Sequence, residues 1–155
     1  MLTAITRAVS PSMNACELTY REREAIDVAR AREQHRAYEA CLAELGVEVI
    51  SLAAEPDYPD AVFVEDAGVV LDEIAVMTRL GAASRRGESE SLARALERYR
   101  PLCWLREPAT LDGGDVMLAG KTLFVGVTAR SNAAGAGQLA AAVVPFGYRV
   151  RPVVV

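Results

Sequence analysis

Histidine occurs once in the 155 residues, at His35, and cysteine three times, at Cys16, Cys41 and Cys103. An odd cysteine count with no CxxC pair supplies neither a disulfide framework nor a metal-ligand spacing. No His-rich or Cys-rich cluster stands in for one, so neither a metal nor a cofactor is expected. Reduced thiols and a cytoplasmic location are the corresponding reading. Long apolar runs are also lacking: the longest, "GQLAAAVVPFGY", is broken by Pro145, which argues against a membrane span. The amino-terminal "MLTAITRAVSPSMN" has no charged leader ahead of an apolar stretch, so no secretory signal is read there. Basic excess is missing too. The net charge is −4, and the densest basic spot, Arg85-Arg86, abuts Gly87 and Glu88, which disfavours nucleic acid as a partner. "NAAGAGQLA" has glycines at 135 and 137 without a phosphate-loop lysine, and reads as a helix start.

What is present is a 52% apolar, 25% charged chain of a length that supports one globular domain. "TAITRAV" (3–9) predicts a strand closed by Ser10-Pro11. A long helix is expected from Tyr20 to Leu45, with Ala25, Val28, Ala29, Ala37, Ala40, Cys41 and Leu45 as its apolar stripe and Gly46 as its stop. "VEVISL" (47–52) alternates as a strand. The order then recurs. "AVFVEDAGVVL" and "IAVMTR" predict strands about Asp72-Glu73, followed by a helix at 88–99 and the strand "LCWL". "DVMLAGKTLFVGV" predicts a hairpin, with a helix near 132–143 and a strand in "YRVRPVVV" after it. The closing strands begin at 47, 101 and 148, and the hairpins carry Asp66 and Asp115, 49 positions apart. A period near fifty residues, each unit holding short strands and one helix, implies an α/β fold of repeated supersecondary units.

Acids are set twice among residues that favour burial, in "FVEDAGVV" and in "LDGGDVML". Unpaired carboxylates are costly in such surroundings. Two explanations remain open on the residues alone: a receptor for a cation, or acids that cap turns and accept local backbone hydrogen bonds. For Asp115 the turn reading is preferred, because an acid after two glycines can close a tight turn. In a strand, Glu65 would face away from Asp66.

Taken together, "SPSMNACELTY", "PDAVFVEDAGVVLDEIAVMTR", "GAASRRGE", "ATLDGGDVMLAGKTLFVG" and "TARSN" resemble the dimethylarginine dimethylaminohydrolases (dimethylargininases) over essentially the whole chain. The resemblance implies a pentein fold, a propeller-like ring of five ββαβ units that needs about 250 residues. Three units would be present here, at approximately 1–60, 61–108 and 109–155, in one partial domain. It also implies hydrolysis of methylated arginine to citrulline and an amine. A cysteine thiolate would attack the guanidinium carbon and a histidine would protonate the leaving amine. In the family both lie beyond the point matching Val155, so this chain alone is expected to be inactive.

By the same resemblance Asp66 would bind the guanidinium nitrogens and Asp112 would orient the absent histidine, with Gly113-Gly114 letting the backbone come close. Arg86 or Arg85, together with Arg130, would grip the substrate carboxylate through paired N–H donors. Leu18 and Phe63 would cover the substrate, and Glu65 would contribute its backbone. The residues themselves leave plainer readings for each: loop arginines in solvent, Leu18 and Phe63 as packing. His35 reads as a solvated helical residue, Cys41 as core, Cys103 as a small buried residue, and Cys16 as the exposed thiol. Uncovered strand edges predict self-association or pairing with a complementary carboxy-terminal part. Three alternatives accompany the leading reading: an arginine deiminase or amidinotransferase on the same ring, a non-catalytic module that binds arginine or serves assembly, and a purely structural repeat fragment.

Overall fold

The computed structural model describes residues 2–19 and 21–155. The chain forms two compact units, Met1–Val64 and Glu65–Val155.

In the first unit β1 (Thr3–Arg7) and β2 (Glu48–Leu52) pair in parallel, Thr3 opposite Glu48 and Arg7 opposite Leu52. Parallel neighbours need a crossover, which α1 (Val28–Glu44) supplies. This helix is shorter than the expected 20–45; Tyr20 lies outside the described residues. The segment before it is committed elsewhere. The Asn14 side chain donates to the Ile26 carbonyl and accepts from the Ile26 N–H, while Arg23 donates to the carbonyls of Asn14 and Cys16. Asp27 then caps the helix by accepting from the Arg30 N–H at 3.0 Å. At the other end Gly46 has φ +80°, where a side chain would be strained.

The expected apolar stripe of α1 is not core. No residue of the helix is buried, and Leu45 is 75% exposed. A two-stranded sheet offers too little area to cover a helix face. Cys41 is accordingly exposed rather than buried, and Cys16, expected to be exposed, is buried. Cys103 is half-buried. His35 is less solvated than expected, with Nε2 3.2 Å from Glu39 Oε1 one turn along the helix. Glu39 also accepts the Thr6 hydroxyl at 2.6 Å.

The second unit holds two three-stranded sheets with one order of elements. In the first, β3 (Gly68–Val70) is antiparallel to β4 (Ala75–Met77), and α2 (Glu88–Leu96) returns the chain to β5 (Leu102–Trp104), parallel to β4. In the second, β6 (Val116–Ala119) is antiparallel to β7 (Thr122–Val127), and α3 (Ala133–Val143) leads to β8 (Arg149–Val154), parallel to β7. Asn132 caps α3 by accepting from the Gly135 N–H at 2.8 Å. Val69, Val76, Leu111, Leu123, Val125 and Leu139 join both sheets and α3 in one buried cluster. The expected strand 61–71 is interrupted. Val64–Ala67 is a 3₁₀ turn, and only Gly68–Val70 is strand. Glu65 and Asp66 are therefore turn residues, not opposite faces of a ribbon. No helix among the described residues is long and apolar enough to cross a membrane.

Candidate active site

Three short turns are joined through the carboxylate of Asp66. The first, Val64–Ala67, is pinned by the Thr78 hydroxyl, which donates to the Asp66 carbonyl at 2.6 Å. Both carboxylate oxygens of Asp66 are engaged: Oδ1 accepts the Gly114 N–H at 3.0 Å, and Oδ2 accepts Arg85 Nη1–H at 2.9 Å. Each sp² oxygen has two lone pairs, so each retains one acceptor site.

The second turn, Ala83–Arg85, ahead of α2, gives the two candidate arginines different surroundings. Arg85 is 2% exposed, and its Nε and Nη2 donate to the two oxygens of Glu88, each at 2.9 Å. Burial works against the charge of Arg85, but Glu88 and then Asp66 outweigh it and hold the guanidinium more firmly protonated than usual. Arg86 is exposed and donates from Nε to the Leu80 carbonyl at 3.3 Å. Of the pair, Arg86 is the one that can reach solvent.

The third turn, Gly113–Asp115, follows Asp112. Asp112 is 3% exposed, and its Oδ1 accepts the Gly81 N–H at 2.9 Å. Its own N–H donates to Ser131 Oγ at 3.0 Å. Oδ2 is buried without a hydrogen-bond donor among the described residues, the Arg130 Nη1 lying 3.6 Å away. Burial pushes the Asp112 carboxyl above its ordinary value and the charge of Asp66 adds to this, while the Gly81 N–H, Arg85 and Arg130 act the other way. The two acids thus share one electrostatic neighbourhood. Asp115 behaves as a turn residue: its Oδ2 accepts the hydroxyls of Thr128 at 3.0 Å and Ser131 at 2.5 Å. Ser131 links the two acids of the motif, a role that nothing in "TARSN" announces.

Close backbone approach explains the glycines. A Cβ at Gly113 would lie 1.9 Å from the Glu65 carbonyl oxygen, and one at Gly114 would lie 2.6 Å from Asp66 Oδ1. Only glycine lets the second acid motif dock on the first. Glu65 itself is exposed. In the first unit Leu18 and Phe63 are each 42% exposed, and Leu18 lines a cavity of about 270 Å³. Nothing in the sequence marks Asp60, yet it is 5% exposed, accepts the Glu17 N–H at 3.0 Å through its side chain, and accepts the Phe63 N–H through its carbonyl. It ties the Leu18 loop to the segment bearing Phe63.

A family model described as "N,N dimethylarginine dimethylhydrolase, eukaryotic" matches residues 5–154. The chain belongs to the dimethylarginine dimethylaminohydrolase family. It is 45% identical over 148 residues to the dimethylarginine dimethylaminohydrolase of Streptomyces coelicolor, covering 95% of this chain and 57% of that protein. It is 39% identical over 117 residues to the enzyme of Pseudomonas aeruginosa, covering 74% of this chain and 46% of that one. The chain therefore spans about half the length of these curated relatives. Among solved structures, a cysteine-to-serine variant of the Pseudomonas aeruginosa enzyme complexed with citrulline superposes with a TM-score of 0.94 at 34% identity, over 99% of this chain and 61% of that one. The amino-terminal domain of ArgZ, a cyanobacterial arginine dihydrolase, has a TM-score of 0.78 at 20% identity, a likeness of fold.

The raised Asp112 carboxyl of this dimethylarginine dimethylaminohydrolase family chain makes stability depend on pH with a definite sign. The folded state holds the Asp112 proton more tightly than the unfolded state, whose carboxyl titrates near 3.9. Asp112 therefore lowers stability progressively as pH rises from about 3.9 through its raised folded value, and no further above it. Asp112→Asn keeps an oxygen for the Gly81 N–H and removes the titration. Urea unfolding across this range is expected to give a difference curve, variant minus wild type, that rises with pH. A flat difference contradicts the assignment.

Proposed function

We propose that this chain carries the substrate-binding part of a hydrolase that converts methylated arginine into citrulline and an amine. One observation carries the reading. Asp66 is fixed at both oxygens by Arg85 and Gly114 yet keeps one acceptor site on each, beside a second buried acid whose Oδ2 has no hydrogen-bond donor among the described residues and lies 3.6 Å from Arg130. A planar guanidinium presents parallel N–H donors that suit such a carboxylate. Family membership and the citrulline complex of the similar Pseudomonas aeruginosa enzyme support the substrate class.

In this proposal Asp66 binds the guanidinium nitrogens. Asp112 Oδ2 accepts the N–H of a catalytic imidazole, keeping it oriented and charged. His35, the single histidine of the sequence, lies 3.2 Å from Glu39, and in this proposal the imidazole is a different one, supplied from outside these residues. A cysteine thiolate, likewise supplied from elsewhere, attacks the guanidinium carbon. The C–N bond to the methylated nitrogen breaks, the amine leaves with the imidazolium proton, and water hydrolyses the thiouronium to citrulline and free thiolate. Arg86 and Arg130 hold the substrate carboxylate, and Glu65 offers its backbone carbonyl. The shared element order of the two sheets fits ββαβ units of a pentein ring. The sheet edges β6 and β8 are then where a complementary segment or a second copy adds strands.

The test is calorimetric titration of the chain with N,N-dimethyl-L-arginine alongside a citrulline assay. Binding without turnover is expected. Asp66→Asn should weaken binding roughly 10- to 100-fold, the size of one or two lost charge-assisted hydrogen bonds. Equal affinity in wild type and Asp66→Asn removes Asp66 from the site, and absence of binding by the wild type removes the proposal.

A further inference from the structure

The reading above uses Asp66 and Asp112 and leaves a buried ion pair, Arg85–Glu88, without a task. Both partners are 2% exposed. A buried pair is poor evidence of added stability, because desolvation offsets most of the attraction, so a directional role is the more informative question. The geometry has a direction. Glu88 takes Nε–H and an Nη2–H in a two-point fork at 2.9 Å each, which fixes the guanidinium plane. The remaining terminal nitrogen, Nη1, points to Asp66 Oδ2 at 2.9 Å. Asp66 is thus held at one oxygen by a planar cation and at the other by the Gly114 N–H. Without the fork, Arg85 loses the two bonds that fix its guanidinium plane, and its contact with Asp66 is no longer held in one orientation.

We propose that Glu88 is a positioning residue for Asp66 and acts through Arg85, setting the carboxylate plane that receives the guanidinium group. The assignment rests on Asp66 being the guanidinium acceptor. Glu88 forks Arg85, and Arg85 in turn donates to Asp66, so Glu88 acts on the carboxylate by fixing the orientation of its donor. The opposing explanation is local. Glu88 is the first residue of α2, where an acid also favours the helix dipole.

Glu88→Asp separates the two. Aspartate keeps the charge at the start of α2 but is one methylene shorter and cannot span the same fork. If Glu88 only serves the helix, aspartate restores everything. If it positions Asp66, aspartate preserves α2 yet releases the carboxylate. The local reporter is the Gly114 amide, whose hydrogen bond to Asp66 Oδ1 is broken when the carboxylate turns. The expected result, by NMR hydrogen exchange on the full chain, is exchange at Gly114 faster by roughly tenfold in Glu88→Asp and in Glu88→Gln, the size of one lost hydrogen bond. Amides of α2, β4 and β7 should keep wild-type protection in Glu88→Asp. Affinity for N,N-dimethyl-L-arginine should fall by a similar factor.

A folded Glu88→Asp with unchanged Gly114 exchange and unchanged affinity overturns the proposal. If Glu88→Gln is unfolded, Glu88→Asp decides alone; if both are unfolded, Glu88 serves the fold at large and the positioning role is overturned. Should the wild type bind no dimethylarginine, the substrate reading fails by itself, while Gly114 exchange still reports on the clamp.

Discussion

Gly113→Ala is expected to be among the most damaging single-methyl additions in the second unit. The new Cβ would lie 1.9 Å from the Glu65 carbonyl oxygen and 3.3 Å from that of Gly68. Both obstacles are backbone, so rotamer change cannot relieve the clash, and one of the two turns must move. Forcing extra volume into a packed position costs typically 1–3 kcal/mol and more when the neighbour is rigid; about 3 kcal/mol is expected here. For a chain of this size that corresponds to a fall in melting temperature of roughly 6–12 °C. Displacing the turn also carries Asp66 away from Gly114, so affinity for dimethylarginine should fall with stability. Gly137→Ala is the control. It lies in α3, with nothing within 4 Å of an added Cβ, and should be neutral or slightly stabilising. A Gly113→Ala protein that melts with the wild type would mean that the two acid motifs do not dock as described.

The two acid motifs stood out as carboxylates among apolar residues, while their coming together was implied only by the family resemblance. The close backbone approach that the resemblance implied at "LDGGD" is provided by Gly113 and Gly114. The strand at 47–52 was legible from its alternation and those at 102–105 and 148–155 from the recurring order of elements, and they appear as β2, β5 and β8. The start of α1 was not. Residues 21–26 have helical composition, but Asn14 and Arg23 engage that segment through side-chain bonds across the loop, a contact with no periodic signature. The burial of Cys16 and exposure of Cys41 were reversed for a related reason. An apolar stripe predicts a face, while the amount of sheet available to cover it is a property of the whole unit. Adjacent Arg85 and Arg86 are equivalent in composition, and their separation depends on a single turn. The 3₁₀ geometry of Ala83–Arg85 directs Arg85 inward toward Glu88 and leaves Arg86 exposed.

Arg85→Met should destabilise the chain by about 3–5 kcal/mol, the range for removing one partner of a buried ion pair. The cost comes from what is left behind. Glu88, 2% exposed, loses the donors to both its oxygens, and Asp66 loses its donor at Oδ2. Glu88→Leu alone removes the fork and leaves the buried Arg85 charge without its two-point partner. The two single changes therefore share a buried partner and are not additive. In the double variant, Arg85→Met with Glu88→Leu, both desolvated charges are gone and apolar side chains of similar volume fill the space, so stability should recover by more than half relative to Arg85→Met. Asp66 remains in the double variant with its Gly114 contact, and its binding of dimethylarginine should stay impaired. Recovery of stability without recovery of affinity is the informative pattern, because it separates the buried pair's part in folding from its part in directing the carboxylate. Urea midpoints for the four proteins measure the first and calorimetric titration the second. A single Arg85→Met that costs less than about 1 kcal/mol would show that Glu88 and Asp66 find other donors, and that the fork is not what holds Asp66 in place.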